Sequence, residues 1–416
     1  MLPCRVVKRF RAPALLLVLL ALTGAGALLP ARVDQVAREV EKVRGKRFER
    51  SVPASEIDAA DLRKVLRSKL GESFPVSPDD TLKTLSAFGL IEETPHLIDR
   101  LIDFYASQVI AFYDPEPRRF YVVKGAAQEL EKGGGGSKEL EAEVGADLPG
   151  MAGMSEKLIF AHELTHALQD ESLKLDKRMK SLKDNGDQAL ALESLLEGEA
   201  TLVMVRVVLA DLPDADEGAE EMLGPLLSAG ALERSGVPKD IPDYFVEQLF
   251  FPYSDGTAYV RRVVKDKGWG AMDRLWKNPP KTTSEILHEG VIFTPAEDLL
   301  PSKNEKLGPD GGRYLYSDTL GEWTVRFVLR RELPEEEADS AASGWRGDRI
   351  AFFSSPRGIA YLWRVRLDSP EAAGRFEAAW KKARKKRELF LRNGRDVLVA
   401  SGYTSLPDLP GFPAAR

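Results

Sequence analysis

Apolar residues recur every three or four positions through much of the chain, which is the period of an amphipathic helix. This pattern predicts a helical N-terminal region over residues 28–104, in stretches such as DAADLRKVLRSKL. It returns in two long segments, Glu156–Met179 and Gln188–Ala210, which we expect to be helices. Ser155 and Asp187 precede these segments and are suitable N-cap residues.

A different pattern separates the N-terminal helices from the two long ones. The β-rich runs VIAFY and RFYVV flank the turn sequence DPEPR, so they predict a strand, a turn and a strand. Residues 125–153 follow, rich in Gly, Ala and charge and containing GGGGS, and are expected to form a flexible loop.

The last hundred residues mix both periods and predict an α+β region over 313–410. EWTVRFVLRREL has a helical pattern, and DRIAFFSS and GIAYLWRVRL read as strands. A further helix follows with Ser369 as its cap and Pro370 in its first turn. GRDVLVASG predicts the last strand.

The N-terminus has the order of a secretory signal peptide, predicted over residues 1–27. Basic residues precede the apolar run Ala14–Leu29, and cleavage after Ala27 or Ala31 fits the small residues there. A membrane span needs about 20 residues, so an uncleaved membrane anchor is the alternative that this shorter run disfavours. The single cysteine, Cys4, precedes the run, so a processed chain would contain no disulfide. We therefore expect an exported protein, periplasmic or secreted.

Charge argues against a nucleic-acid partner. The 416 residues carry a net charge of −6, with acids and bases well mixed. The basic run KKARKKR at 381–387 follows an amphipathic helical pattern and is interpreted as a solvated helix end.

The clearest chemical motif is AHELTHALQD, inside the first long helix. Residues four apart lie one turn apart on the same helix face, so His162 and His166 can both bind one Zn²⁺ at about 2.0–2.1 Å. Glu163 points about 100° away from His162, where its carboxylate can accept a proton from a water molecule that the metal has acidified. This is the HExxH arrangement of zinc metallopeptidases, with Glu163 as the general base.

A third protein ligand is expected on the second long helix, in LALESLLEGEATLVM. Zinc held by two histidines needs one more protein ligand while a position stays open for water. Glu199 lies about 200° from Glu197, on the opposite side of the helix, whereas Glu193 and Glu197 share a face. Helix geometry alone leaves Glu193 and Glu197 as alternatives.

HELTH followed about thirty residues later by LLEGEAT resembles the gluzincin zinc peptidases, such as the thermolysin-like and aminopeptidase families. HELTH is identical to the thermolysin-like motif, and LEGEA is similar to the NEGFA-type string that carries the ligand glutamate of the aminopeptidases. The resemblance implies that Glu197 is the ligand and Glu193 a neighbour. In the rival register, Glu193 is the ligand and Glu197 a supporting acid.

The resemblance, which covers about residues 108–210, also carries an expectation for the fold. It implies a zincin-like core over 105–300, with a small sheet, the HExxH helix and the helix of the third ligand. An edge strand of that sheet lies along the cleft and pairs with an extended substrate, and RRFYVV is the expected edge. The rest of the chain contains no motif of these families.

Two further roles are assigned to residues outside HELTH. Asp170 lies one turn beyond His166 and is a candidate for orienting an imidazole, with a plain surface acid of the helix as the alternative. Gluzincins stabilise the tetrahedral oxyanion beside zinc with a downstream His or Tyr. Here the resemblance makes His288 and Tyr253 the catalytic candidates, with Tyr259 as a further one, and a structural role is the alternative for each.

The sequence therefore predicts an α+β protein that is an exported zinc peptidase, with a peptide or protein as its substrate. The alternative is an inactive zincin-fold binding or scaffold protein with a structural zinc, anchored in the membrane if the N-terminal segment is retained. Glu163 favours the peptidase, because a structural zinc site does not need a base beside an open position.

Overall fold

The computed structural model describes residues 29–125, 154–210, 237–293, 295–296, 299–301, 305–309, 311–384 and 388–413. The predicted signal peptide and almost all of the predicted flexible loop lie outside these ranges. Within them, no helix combines the length and the apolar character needed to cross a membrane.

The described residues form an α+β fold with two separate sheets. The helices are α1 (Leu29–Arg44), α2 (Ala59–Ser73), α3 (Pro78–Phe88), α4 (Leu97–Gln108), α5 (Met154–Leu173), α6 (Leu175–Lys180), α7 (Gly186–Leu209), α8 (Asp243–Lys267), α9 (Trp269–Lys277), α10 (Thr283–Leu287), α11 (Gly321–Arg330), α12 (Glu335–Ala342) and α13 (Pro370–Ala383). The strands are β1 (Ala54–Ile57), β2 (Ala111–Asp114), β3 (Arg119–Val123), β4 (Arg313–Asp318), β5 (Trp345–Ser355), β6 (Gly358–Leu367), β7 (Leu389–Asn393) and β8 (Asp396–Ser401).

The N-terminal region is helical, as its periodicity predicts, but it also contributes strand β1. Asp58 caps α2 by accepting the amide N–H of Asp61 at 2.8 Å. Ser77 caps α3, with Pro78 in the first turn. β1 has only four residues, too few to show the alternation that identifies a strand, and sequence analysis missed it.

The small sheet has the order β1-β3-β2, which corrects the prediction that RRFYVV forms the edge. β3 is the central strand, parallel to β1 and antiparallel to β2. The edge that contacts α5 is β2, and all four of its residues are buried. The predicted hairpin of β2 and β3 is present, and Asp114 tightens its turn by accepting the amide N–H of Glu116 at 3.0 Å.

The two long helices, α5 and α7, lie in the interior. Almost every residue of α7 is buried, including Glu193, Glu197 and Glu199, so other parts of the protein surround this helix on all sides. Both predicted caps are wrong. α5 already begins at Met154, so Ser155 lies in its first turn. Asn185 caps α7 by accepting the amide N–H of Gln188, and Asp187 binds other groups described below.

Helices α7 and α8 approach each other most closely at two glycines. A Cβ atom on Gly198 would lie 2.2 Å from the carbonyl oxygen of Gly256. A Cβ atom on Gly256 would lie 2.2 Å from the carbonyl oxygen of Ser194. The two helix backbones therefore touch beside Glu197, and only glycine fits at either position.

The C-terminal region contains an antiparallel sheet in the order β4-β5-β6-β8-β7. The predicted helices and strands of this region are present, and Ser369 caps α13 by accepting the amide N–H of Ala372. Phe88 of α3 packs edge-on against Tyr361 and Trp363 of β6, at ring distances of 5.3 and 5.4 Å. Through this aromatic contact the N-terminal helices and the C-terminal sheet share one apolar core.

Three buried carboxyl groups lie where α7 meets the C-terminal region: Asp187, Glu322 and Asp348, here called the acid cluster. Asp348 accepts four N–H groups, from the backbone of Leu320 and Gly321 and from the indoles of Trp345 and Trp363, all at 2.9–3.0 Å.

Asp187 accepts the amide and hydroxyl of Thr283 through Oδ1, and its Oδ2 is buried without a hydrogen bond. Gly321, at φ +80°, leaves room for it, because a Cβ there would lie 1.8 Å from Asp187 Oδ1. Burial raises the pKa of Asp187 to about 8, helped by the charges of Asp348 and Glu322.

Candidate metal centre

Among the described residues, one group of side chains could hold a metal ion: His162, His166 and Glu197, here called the metal group. The Nε2 atoms of the two histidines are 3.2 Å apart. Glu197 Oε2 lies 3.0 Å from His162 Nε2 and 3.5 Å from His166 Nε2. Helix α5 provides both histidines one turn apart, and α7 packs against it to bring in the carboxylate.

All three side chains are at most 2% exposed, so their charges depend on one another. Burial raises the pKa of Glu197, but the two imidazoles, above all that of His166, lower it by more than burial raises it, to about 2. Burial lowers the pKa of His162. For His166, burial also lowers the pKa, but the charge and hydrogen bond of Glu197, the charge of Glu163 and the hydrogen bond to Gln169 together outweigh it and raise the pKa to about 9. The group is therefore an anionic carboxylate facing two imidazoles, and it favours a cation or a shared proton between them.

Glu163 is fully buried next to the metal group. Its Oε2 accepts the backbone N–H of Tyr113 at 2.8 Å, so strand β2 holds the carboxylate in place. Its charge also acts on His166, where it contributes to the raised pKa. The residue predicted as general base is thus oriented by the sheet edge and is close enough to the ligands to affect their charge.

Glu193, the rival third ligand, lies one turn before Glu197 and does not belong to the metal group. It is buried, and its Oε1 has no hydrogen bond. Burial raises the pKa of Glu193 to about 8, and the charge of Glu197 adds to the rise. Its electrostatic neighbours include the buried Tyr105 of α4, whose pKa burial raises and Glu193 raises further.

A chain of buried polar side chains runs from the metal group to helix α1. His166 Nδ1 lies 2.9 Å from Gln169 Oε1. Gln169 Nε2 donates to Leu196 O at 3.0 Å and to Glu199 Oε2 at 2.9 Å. Glu199 also pairs with the buried guanidinium of Arg44. We call Gln169, Glu199 and Arg44 the support chain.

Sequence analysis missed the support chain. Gln169 is three residues after His166, a spacing that places both side chains on one helix face, and this signal was available. Glu199 does point away from Glu197, as its position on the helix predicts, but Gln169 reaches it from α5. Arg44 lies in a region without a recognisable motif, so nothing in the sequence pointed to it.

The prediction that Asp170 orients an imidazole is wrong. Asp170 Oδ2 accepts the hydroxyl of Tyr113 at 2.9 Å, and its Oδ1 accepts the backbone N–H of Leu175 at 2.7 Å. Asp170 therefore fixes strand β2 and the end of α5, while the imidazole contact belongs to Gln169.

The structure separates the candidates for the oxyanion donor. Tyr253 stacks on His162 with ring centroids 5.9 Å apart and an interplanar angle of 17°. His288 instead joins the acid cluster, with its Nε2 2.7 Å from Glu322 Oε1. Tyr259 packs among apolar side chains, and burial raises its pKa to about 12. Of the three, Tyr253 is the residue brought to the metal group.

One part of the chain is similar to a known domain family. Residues 312–409 match a domain family described as a domain of unknown function, DUF8575. This match covers the five-stranded sheet and α11–α13, and it does not include the metal group. No curated protein and no solved structure matches the chain.

Proposed function

We propose that the protein is an exported zinc-dependent peptidase with a zincin-like core, in which His162, His166 and Glu197 hold the metal and Glu163 is the general base. The observation that carries this proposal is the triangle of ligand atoms. Tetrahedral zinc with bonds of about 2.0–2.1 Å places its ligand atoms roughly 3.3 Å apart. The three distances of 3.0, 3.2 and 3.5 Å agree with this spacing.

The donor set supports zinc over harder cations. Two imidazole nitrogens and one carboxylate oxygen are the ligands of catalytic zinc sites, whereas Ca²⁺ and Mg²⁺ prefer sites made of oxygen. The carboxylate keeps its charge, with the pKa of Glu197 lowered to about 2. When bound, Zn²⁺ would act as a Lewis acid that polarises a peptide carbonyl and acidifies water.

The protein side chains supply the remaining steps. Glu163 accepts the proton of the attacking water and later returns it to the leaving amine. The N–H of Tyr113 holds that carboxylate in one orientation, which reduces the reorganisation needed during proton transfer. We assign Tyr253, whose ring stacks on that of His162, to donate a hydrogen bond to the oxyanion.

One observation favours the alternative of a structural zinc in a scaffold protein. The three ligands and Glu163 are all at most 2% exposed, and structural zinc sites are closed. The alternative gives no role to Glu163, a buried carboxylate that the sheet edge holds next to the ligands. A buried acid without a role costs stability, so we favour the peptidase.

The test is to purify the full chain, measure bound metal, and follow hydrolysis of a random peptide mixture with and without chelator. We expect zinc bound to the protein, hydrolysis that the chelator abolishes, and recovery when zinc is added back. His162→Ala should lose the metal, whereas His96→Ala, at an exposed histidine, should keep it. Bound zinc without hydrolysis would support the scaffold protein. If the protein shows no bound zinc and no hydrolysis, both functions are overturned.

A further inference from the structure

The donors and acceptors of Gln169 determine where the proton of His166 lies. The Gln169 amide nitrogen faces Leu196 O and Glu199 Oε2, and both of these atoms accept hydrogen bonds. The nitrogen must therefore be on that side, and the amide oxygen faces His166 Nδ1 at 2.9 Å. An amide oxygen can only accept, so Nδ1 of His166 must carry a proton.

Glu199 cannot reverse this polarity, because every group around it is a donor. Its Oε2 accepts the indole N–H of Trp276 at 2.7 Å and the amide of Gln169 at 2.9 Å. Its Oε1 accepts the Nε–H of Arg44. A carboxylate with three such donors holds the Gln169 amide in one orientation.

Arg44 is itself fixed in the interior. Its guanidinium lies between two indole rings, 4.8 Å from the ring centroid of Trp269 and 4.7 Å from that of Trp276. It also pairs with Asp273 at 2.7 Å. The residue is only 2% exposed, so the far end of the support chain has no freedom to rearrange.

We propose that Gln169 is the positioning residue of the metal centre. Held by Leu196 and Glu199, it keeps the proton of His166 on Nδ1 and leaves the Nε2 lone pair free for the metal. The inference rests on the metal site of the proposed function, and it adds the group that selects the ligating nitrogen.

Nuclear magnetic resonance tests the inference on the wild-type protein. The chain contains four histidines, so ¹⁵N-histidine labelling gives a spectrum with few signals. The protein is loaded with ¹¹³Cd²⁺, and cadmium–nitrogen couplings identify the ligating atoms. We expect coupling to Nε2 of both ligand histidines and a proton on Nδ1 of His166. Coupling to Nδ1 of His166 would overturn the inference even if the protein hydrolyses peptides.

Variants then test the role of the glutamine. Gln169→Met keeps the length of the side chain but removes its hydrogen bonds, and it should weaken zinc affinity by about 10- to 100-fold. It should shift the Nδ1–H signal of one ligand histidine and leave those of His96 and His288 unchanged. Gln248→Met, at a half-buried glutamine of α8 outside the support chain, is the matched control and should change neither.

The outcomes separate the inference from the proposed function. Unchanged zinc affinity and an unchanged signal in Gln169→Met would overturn the positioning role. If Gln169→Met does not fold, as circular dichroism would show, the wild-type spectrum alone decides. If the metal is ligated through Nε2 of His166 but the protein hydrolyses no peptide, the inference is supported and the proposed peptidase function is contradicted.

Discussion

The metal group and the acid cluster both bury carboxyl groups, yet their neighbours give these carboxyls opposite charge preferences. Glu197 faces two imidazoles, which lower its pKa to about 2. Asp187 faces a hydroxyl, a backbone N–H and two other acids, and its pKa rises to about 8. Burial penalises the charge in both, so the sign of the shift depends on whether a cationic partner lies within reach.

The same contrast appears inside the acid cluster. Glu322 has a lowered pKa because His288, Arg326 and the hydroxyl of Ser284 together outweigh its burial. Asp348 accepts only uncharged N–H groups, and burial keeps its pKa raised. A buried acid therefore indicates a metal site only when its neighbours are ligands as well, as for Glu197.

The largest effect in the comparison of the metal group with the acid cluster is expected when the charge of Glu197 is removed. Glu197→Gln should lose zinc and all hydrolysis, because a neutral amide is a poor ligand beside two neutral imidazoles. Glu193→Gln is the matched variant one turn away, and it should keep its zinc. Metal content after dialysis measures both. If Glu193→Gln loses the metal and Glu197→Gln keeps it, the ligand register is wrong by one helical turn.

Removing only the base separates catalysis from metal binding. Glu163→Gln should keep zinc bound but reduce kcat by about 10²- to 10⁴-fold, because the amide cannot accept the proton of water. Metal analysis and steady-state hydrolysis on the same preparation provide the measurement. Activity equal to that of the wild type would contradict the mechanism and favour a structural metal.

In the acid cluster, the largest effect is expected on stability. Asp348→Asn places an amide NH₂ among four N–H donors, and it should lower the free energy of unfolding by about 3 kcal/mol. Asp408→Asn, at an exposed aspartate, is the control and should change it by less than about 0.5 kcal/mol. Urea unfolding followed by tryptophan fluorescence measures both. A loss below about 1 kcal/mol would show that the four donors do not need the charge.

The last prediction concerns how the free energy of unfolding depends on pH. The folded pKa of Asp187, about 8, exceeds its unfolded value of about 3.9. Its contribution to stability is therefore complete below pH 4 and is lost as the pH rises to 8, at up to about 1.4 kcal/mol per pH unit. Asp187→Asn removes this titrating carboxyl. The stability of the variant relative to the wild type should therefore increase as the pH rises from 5 to 8. A constant difference across that range would contradict the raised pKa.

Periodicity in the sequence predicts most of the fold, because each long helix and strand carries enough residues to show its period. Periodicity fails to predict a feature that depends on only a few residues or on contacts between residues that are distant in the sequence. β1 has four residues, and the edge position belongs to β2 because β1 pairs with the other side of β3. Helices α5 and α7 each begin two residues before their predicted starts, because helix ends are the least regular part of a pattern.

The candidate site divides in the same way. His162, Glu163 and His166 lie in one helical motif, so local spacing brings them together. Glu197 was chosen over Glu193 by resemblance, and the structure places Glu197 with the histidines. His288 was assigned as the histidine downstream of the motif, but Glu322 binds it at 2.7 Å in another part of the molecule. Sequence spacing cannot rank partners that only the folded chain brings together.

The position of Arg44 has a consequence for the order of events during protein synthesis. It lies in the first described helix, yet its partners Glu199 and Asp273 follow 155 and 229 residues later. Trp276, which stacks on it and binds Glu199, is made later still. A nascent chain therefore cannot complete the surroundings of His166 until residue 276 has left the ribosome, and contacts of such long range form late in folding. The proposed peptidase would therefore become active only after most of its own chain has been made.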